Sequence, residues 1–304
     1  MASISIDSIT FRQQVLQDTN TYKGELPDFG KFVEKKVNAF KKAHGVDAFA
    51  DVLRLSGAIP ETIKADSSEE KRYSKFTDVM LSIAFEEIGL TSVVLDERSD
   101  SADVEAVGKN GINLVGDAKA FRLSRTAKNQ KDFKVQAMNK WKNGKPHALL
   151  VCPIYQLPSS SSQIYYQAIT NDVCVFTYSH LSILVRLANR LQKADAQDLL
   201  LKVLDSTFKL LLPSKSANEY WKSVNGAFAA HSQTCSQLWS EEKLLIDPTI
   251  KVCKTEALRF YQAERARIMA LSRDDAIKEI LAITNIDAKI RSVNSVDNKL
   301  SLEQ

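Results

Sequence analysis

Cysteine is scarce and scattered. Cys152, Cys174, Cys235 and Cys253 form no CxxC pair, so neither a zinc ribbon nor a disulfide framework has ligands to build on. They read as buried free thiols of a reducing cytoplasm. The opening residues hold no apolar stretch behind a positive start, and no run reaches the ~20 apolar residues that a membrane span needs. A cytoplasmic protein without a membrane partner is expected. Ten glycines and seven prolines exclude collagen-like and low-complexity chains, and no solenoid-length repeat is present. His44, His147, His180 and His231 lack HExxH or other ligand spacing and read as structural or surface residues. The segment G-E-L-P-D-F-G-K-F from Gly24 has five residues between its glycines and Phe after Lys, which excludes a Walker A loop.

Charge is modest in total and uneven in distribution. The chain of 304 residues carries a net +4. Between Ala118 and Lys145 stand nine Lys or Arg residues against one acid, Asp132, so this segment carries +8 and the remainder −4. A concentrated basic stretch on an otherwise acidic protein suits a polyanion, because each neutralised phosphate releases counterions. A solvated helix face is the plainer alternative.

Residues up to about Ala65 read as helical, with Phe32, Val33, Val37, Phe40 and Phe49 on apolar faces and Pro27 and Pro60 as breaks. From Ser74 to Ile88, apolar residues recur at helical spacing, and Gly89 stands where a C-terminal cap belongs. The period then changes. Thr91 to Leu95, Asp103 to Val107 and Ile112 to Ala118 read as strands, the last two joined across Lys109-Asn110-Gly111 as a hairpin. Further strands are expected at Ala148 to Cys152, Gln163 to Ala168 and Val173 to Phe176, then a helix capped by Ser179. Everything beyond Asp195 has helical pattern. The order predicts an α/β fold with a central mixed sheet flanked by helices and a helical C-terminal region, divided as 1–66, 67–190 and 191–304 within one intertwined unit.

The sequence I-N-L-V-G-D-A-K-A-F ends an apolar strand with Asp117 and Lys119, two positions apart and therefore on one face. Pairing across the Asn-Gly turn brings Asp103, at the start of the preceding strand, beside Asp117. Two carboxylates and an ammonium at a strand end are the parts of Mg2+-dependent phosphodiester hydrolysis: hard oxygen ligands for the metal, and a cation to orient water or stabilise charge. The acid-x-Lys triplet alone is weak, since Glu34-Lys36 and Glu241-Lys243 match it too. Only the Asp117 copy closes a strand, has a second acid opposite it and leads into the basic segment. Downstream, Phe133, Ala137 and Trp141 are spaced as the buried stripe of a helix. Arg122, Arg125, Lys128 and Lys134 can contact phosphates, while Asn129 and Gln130 have the amide geometry that reads adenine.

The block D-A-K-A-F-R-L-S-R-T-A-K-N-Q-K-D-F-K-V, Asp117 to Val135, resembles the corresponding block of the HindIII-type restriction endonucleases. Similarity extends upstream through G-A-I-P-E-T-I-K (Gly57 to Lys64) and the Glu70 to Leu90 helix, and downstream to about Leu187. The resemblance implies the PD-(D/E)xK nuclease fold, a homodimer, Mg2+ dependence, cleavage of double-stranded DNA at the palindrome AAGCTT and a cognate DNA methyltransferase. It places Asp103 and Asp117 as the acids, Lys119 as the lysine, and the Ala118 carbonyl as a further metal ligand. Ser-Ala precedes Asp103 where the nominal motif has Pro. Glu70 is a candidate additional acid, although a helix N-terminal charge effect is the better explanation. A non-catalytic DNA-binding regulator and a structure-specific repair nuclease remain as alternative readings.

Overall fold

In the computed structural model, residues 2–95, 101–125, 130–209 and 211–294 are described. Two helices, α1 (Ile6–Thr21) and α2 (Leu26–Ser56), precede α3 (Ser68–Glu87). Pro27 lies in the first turn of α2, where its missing amide costs no hydrogen bond. Ser67 caps α3 by accepting from the Glu70 amide, and Glu70 reaches back to accept from the Asp66 amide, a close variant of the capping box.

The chain then alternates: β1 (Thr91–Val94), β2 (Val104–Val107), β3 (Asn113–Ala118), α4 (Gln130–Phe133), α5 (Val135–Trp141), β4 (His147–Cys152), α6 (Gln163–Thr170), β5 (Val173–Thr177) and α7 (Tyr178–Arg190). Among the described residues these strands form one mixed sheet in the order β1-β2-β3-β4-β5. The first three are antiparallel and the last two run parallel to β3. Asn110 and Gly111 both take positive φ, 56° and 83°, which the β2–β3 turn requires and which Asn and Gly tolerate. The parallel strands β4 and β5 are buried on both faces, so H-A-L-L-V-C and V-C-V-F-T read as unbroken apolar runs instead of alternations. Helix α3 packs across β1, β2 and β3, and α2 packs on both α3 and α7.

Three local expectations are corrected. Gln163 to Ala168 is helix and not strand: Ser162 caps it, and Ile164, Tyr165, Ala168 and Ile169 are buried with helical spacing. Parallel pairing of β4 with β5 needs a crossover, and α6 supplies it. The stripe Phe133, Ala137, Trp141 is interrupted because Lys134 adopts a left-handed conformation, φ 47°. The buried residues are therefore Phe133, Val135 and Met138, with Trp141 half-buried. Thr177, not Ser179, caps α7, its hydroxyl accepting from the His180 amide.

Helices α8 (Lys193–Lys209), α9 (Ala217–His231), α10 (Gln233–Met269), α11 (Arg273–Thr284) and α12 (Ile286–Asn294) complete the described chain, as the helical pattern beyond Asp195 predicts. Met1–Ala257 forms one compact unit and Leu258–Gln304 another. In the first unit, all four cysteines are buried thiols outside any disulfide. His180 lies between Trp221 and Trp239, bonded to Thr177 and Asn225. Burial pushes its imidazole down to about 4, so it is neutral at physiological pH. In the second unit α11 buries none of its residues, and Ile280, Ile283 and Val293 are exposed. No helix among the described residues is long and apolar enough to cross a membrane.

Candidate active site

The hairpin register decides where the acids meet. Val104 pairs with Gly116, so one step back along β2 sets Asp103 opposite Asp117. Gly116 permits the close approach of α3, since a Cβ there would stand 3.0 Å from Leu81 and 3.1 Å from Phe85. Lys119, one residue past β3, is fixed by its backbone: its amide donates to the Val151 carbonyl at 2.7 Å, and the Tyr178 hydroxyl donates to its carbonyl at 3.2 Å. A site built on strand ends and pinned in this way holds its side chains with little freedom.

Asp103, Asp117 and Lys119 converge in a cleft of about 470 Å³, which Asp78, Lys75 and Lys134 also line. Asp117 is 1% exposed. Its carboxylate is 2.5 Å from the Lys119 ammonium, yet neither oxygen accepts an aligned hydrogen bond from a described residue. Burial, and next the charge of Asp117, push the Asp103 carboxyl up to about 7. Burial works to neutralise Lys119, but Asp117 and Asp103 outweigh it and hold the ammonium charged beyond its ordinary range. Asp78 is raised well above the usual carboxylate range by burial and by Asp103 and Asp117.

Unsatisfied, buried hard oxygens carrying surplus negative charge fit a divalent cation better than any neutral ligand. Asp103 and Asp117 are the side chains that could hold one. Among the described residues no three ligating side chains meet closely enough to form a cage. Magnesium does not need one, because it keeps several waters and takes one or two carboxylates. The Ala118 carbonyl accepts a long hydrogen bond, 3.4 Å, from Thr77.

The basic segment enters this site only in part. Lys134 lines the cleft with its ammonium 5.7 Å from the Trp141 ring centroid. Arg122 turns inward, paired with Glu70 at 2.5 Å and donating to the Ile63 carbonyl. Glu70 is thereby committed to the loop and does not line the cleft. Arg125 is largely exposed and bonds Asp132 at 2.9 Å. Glu61 accepts from the amide and hydroxyl of Ser124, and the Gln156 amide donates to the Arg122 and Arg125 carbonyls. Lys128 and Asn129 lie outside the described residues, as does the side chain of Gln130. Sequence reasoning did not single out Asp78 and Lys75. The sequence offers only an aspartate within a helical pattern; that residues 75–85 are buried throughout is seen in the structure.

Two comparisons bear on this geometry. A family model described as HindIII restriction endonuclease matches residues 18–297. The type II restriction enzyme HindIII of Haemophilus influenzae is 33% identical over 250 residues, covering 81% of this chain and 82% of that enzyme.

Proposed function

This chain belongs to the HindIII restriction endonuclease family, and on that premise we propose that it hydrolyses both strands of DNA at the palindrome AAGCTT in a Mg2+-dependent reaction. The observation that carries this reading is the convergence of Asp103, Asp117 and Lys119 in one cleft beside a basic segment. Asp103 and Asp117, with the Ala118 carbonyl, are the ligands for the cation. A Mg2+ ion held there would supply Lewis-acid polarisation of the scissile phosphate and a more acidic ligated water. Asp103 gives up its proton when the cation binds, since the two compete for the same oxygens. Lys119, held charged, orients the attacking water or offsets charge growing on the phosphate. Arg125, Lys128 and Lys134 contact phosphates; Asn129 and Gln130 read base edges. Arg122 acts from behind, fixing the loop through Glu70.

A palindromic site calls for a two-fold symmetric enzyme, and a homodimer is part of this reading. The exposed apolar residues of α11 and α12 are its candidate contact. A cognate methyltransferase in the same cytoplasm protects the host's own sites.

Incubation of the purified protein with linear DNA of known sequence, with Mg2+ or with EDTA, tests the proposal once fragment ends are sequenced. Mg2+-dependent fragments sharing one end sequence support it and test AAGCTT directly. Bound but uncut DNA under both conditions rejects it in favour of a regulator. Asp117→Ala abolishes cleavage while DNA binding without metal is retained or improved, because a carboxylate near phosphate repels it.

A further inference from the structure

Asp78 takes no part in the chemistry above, yet it is buried in the same cleft. It is 8% exposed and accepts no hydrogen bond and no ion pair from any described residue. Its oxygens are not sealed off as those of Asp117 are, so a carboxylate without a protein donor opens onto the cleft where water on a bound cation could reach it. Its position follows from helix geometry. Lys71, Ser74, Lys75 and Asp78 fall at i, i+3, i+4 and i+7 of α3, one stripe, and all four line the cleft. Lys71 and Ser74 are exposed, whereas Lys75 and Asp78 are buried. Lys75 is engaged elsewhere, donating to the Leu95 carbonyl at 3.0 Å. The charged groups that Asp78 faces are Asp103, Asp117, Lys75 and Lys119.

We infer that Asp78 is a positioning residue for the metal centre, accepting hydrogen bonds from water on a divalent cation that Asp103 and Asp117 would hold. This rests on the metal reading proposed above. Direct coordination by all three acids is not the arrangement, because they do not close on a common point. A carboxylate one hydrogen bond removed from a metal orients the ligands and tunes affinity.

Mn2+ binding to the metal-free full-length protein, read by electron paramagnetic resonance, tests the inference on wild type, Asp78→Asn, Asp78→Ser and Asp117→Asn. The Asp78 variants are expected to weaken Mn2+ binding about 10-fold or more, without a fall in the melting temperature measured in EDTA. Their DNA affinity in EDTA should be unchanged or improved. Wild-type Mn2+ affinity in both Asp78 variants, with binding lost in Asp117→Asn, overturns the inference and leaves the metal reading standing. Wild-type affinity in Asp117→Asn overturns the metal reading and the inference with it. Weakened binding accompanied by a lowered melting temperature in both Asp78 variants also overturns it, since the role of Asp78 would then be structural.

Discussion

Among the clusters of buried charge within residues 1–257, the one around Arg54 and the one in the cleft are built to opposite rules. Around Arg54, every group is answered. Its Nε and Nη2 donate to the two oxygens of Glu242 at 2.8 and 2.6 Å, its Nη1 donates to Asp51 at 2.7 Å, and the other Asp51 oxygen accepts from the Ser5 amide at 2.9 Å. This forked pairing ties α2 to α10 and fixes Ser5 ahead of α1. In the cleft, by contrast, the Asp117 oxygens accept no aligned hydrogen bond from a described residue; burial raises Asp51, Asp78 and Asp103 alike, but only for Asp78 and Asp103 is the charge of the nearest acids the next largest cause. Burial of charge therefore does not identify a functional site. What sets the cleft apart is that buried carboxylates meet there with fewer donors than oxygens, an arrangement that a cation can complete.

The contrast is sharpest under substitution. Asp117→Asn should cut Mg2+-dependent cleavage at least about 10³-fold while thermal unfolding in EDTA stays within the wild-type range; equal cleavage by the variant would remove the cleft's distinction. Glu242→Ala should do the reverse. Stranding Arg54 in the interior costs roughly 3–5 kcal/mol of stability, readable by urea titration, with cleavage per folded molecule unchanged.

The Asp103 carboxyl is raised from 3.8 to about 7, so in the metal-free protein its contribution to stability is complete below the unfolded value and is lost as pH rises through the folded one. Melting temperatures in EDTA should carry a decline between these limits that Asp103→Asn abolishes. A divalent cation should oppose the same decline by holding the ionised form, and an unaltered profile in the variant would count against the placement of Asp103.

Smaller effects test the basic loop. Arg122→Ala, which leaves Glu70 and the Ile63 carbonyl without their partner, should cost roughly 1–3 kcal/mol in stability. Arg125→Ala should leave stability nearly unchanged and reduce the slope of log affinity against log salt by about 0.9, measured by fluorescence anisotropy in EDTA. Equal salt slopes for the two variants would break the division between an inward and an outward arginine.

The legible parts of the molecule are those encoded within a few residues of themselves. Alternation over Ile112 to Ala118 put Asp117 and Lys119 on one face, and the Asn110-Gly111 turn fixed a register that brought Asp103 opposite. The Gln163 to Ala168 segment misled because Ile, Tyr and Ala serve a helix as well as a strand, and the choice belonged to the crossover between β4 and β5. Asp78 went unnoticed for a related reason. The acids it faces lie 25 and 39 positions away at Asp103 and Asp117, and nothing local separates an aspartate aimed at solvent from one aimed into a cleft.

By itself, then, the sequence determined the helix–sheet–helix order, the hairpin and the acid-x-Lys strand end, since period, turn chemistry and caps act over one or two turns of chain. Only the tertiary structure decided which charges are answered. Glu242 meets Arg54 across 188 positions, Arg122 turns inward to Glu70 and the Ile63 carbonyl, and α3 lies close enough over Gly116 to set Asp78 beside the strand-end acids. Those outcomes depend on how elements pack, and packing brings together groups whose positions along the chain carry no record of one another.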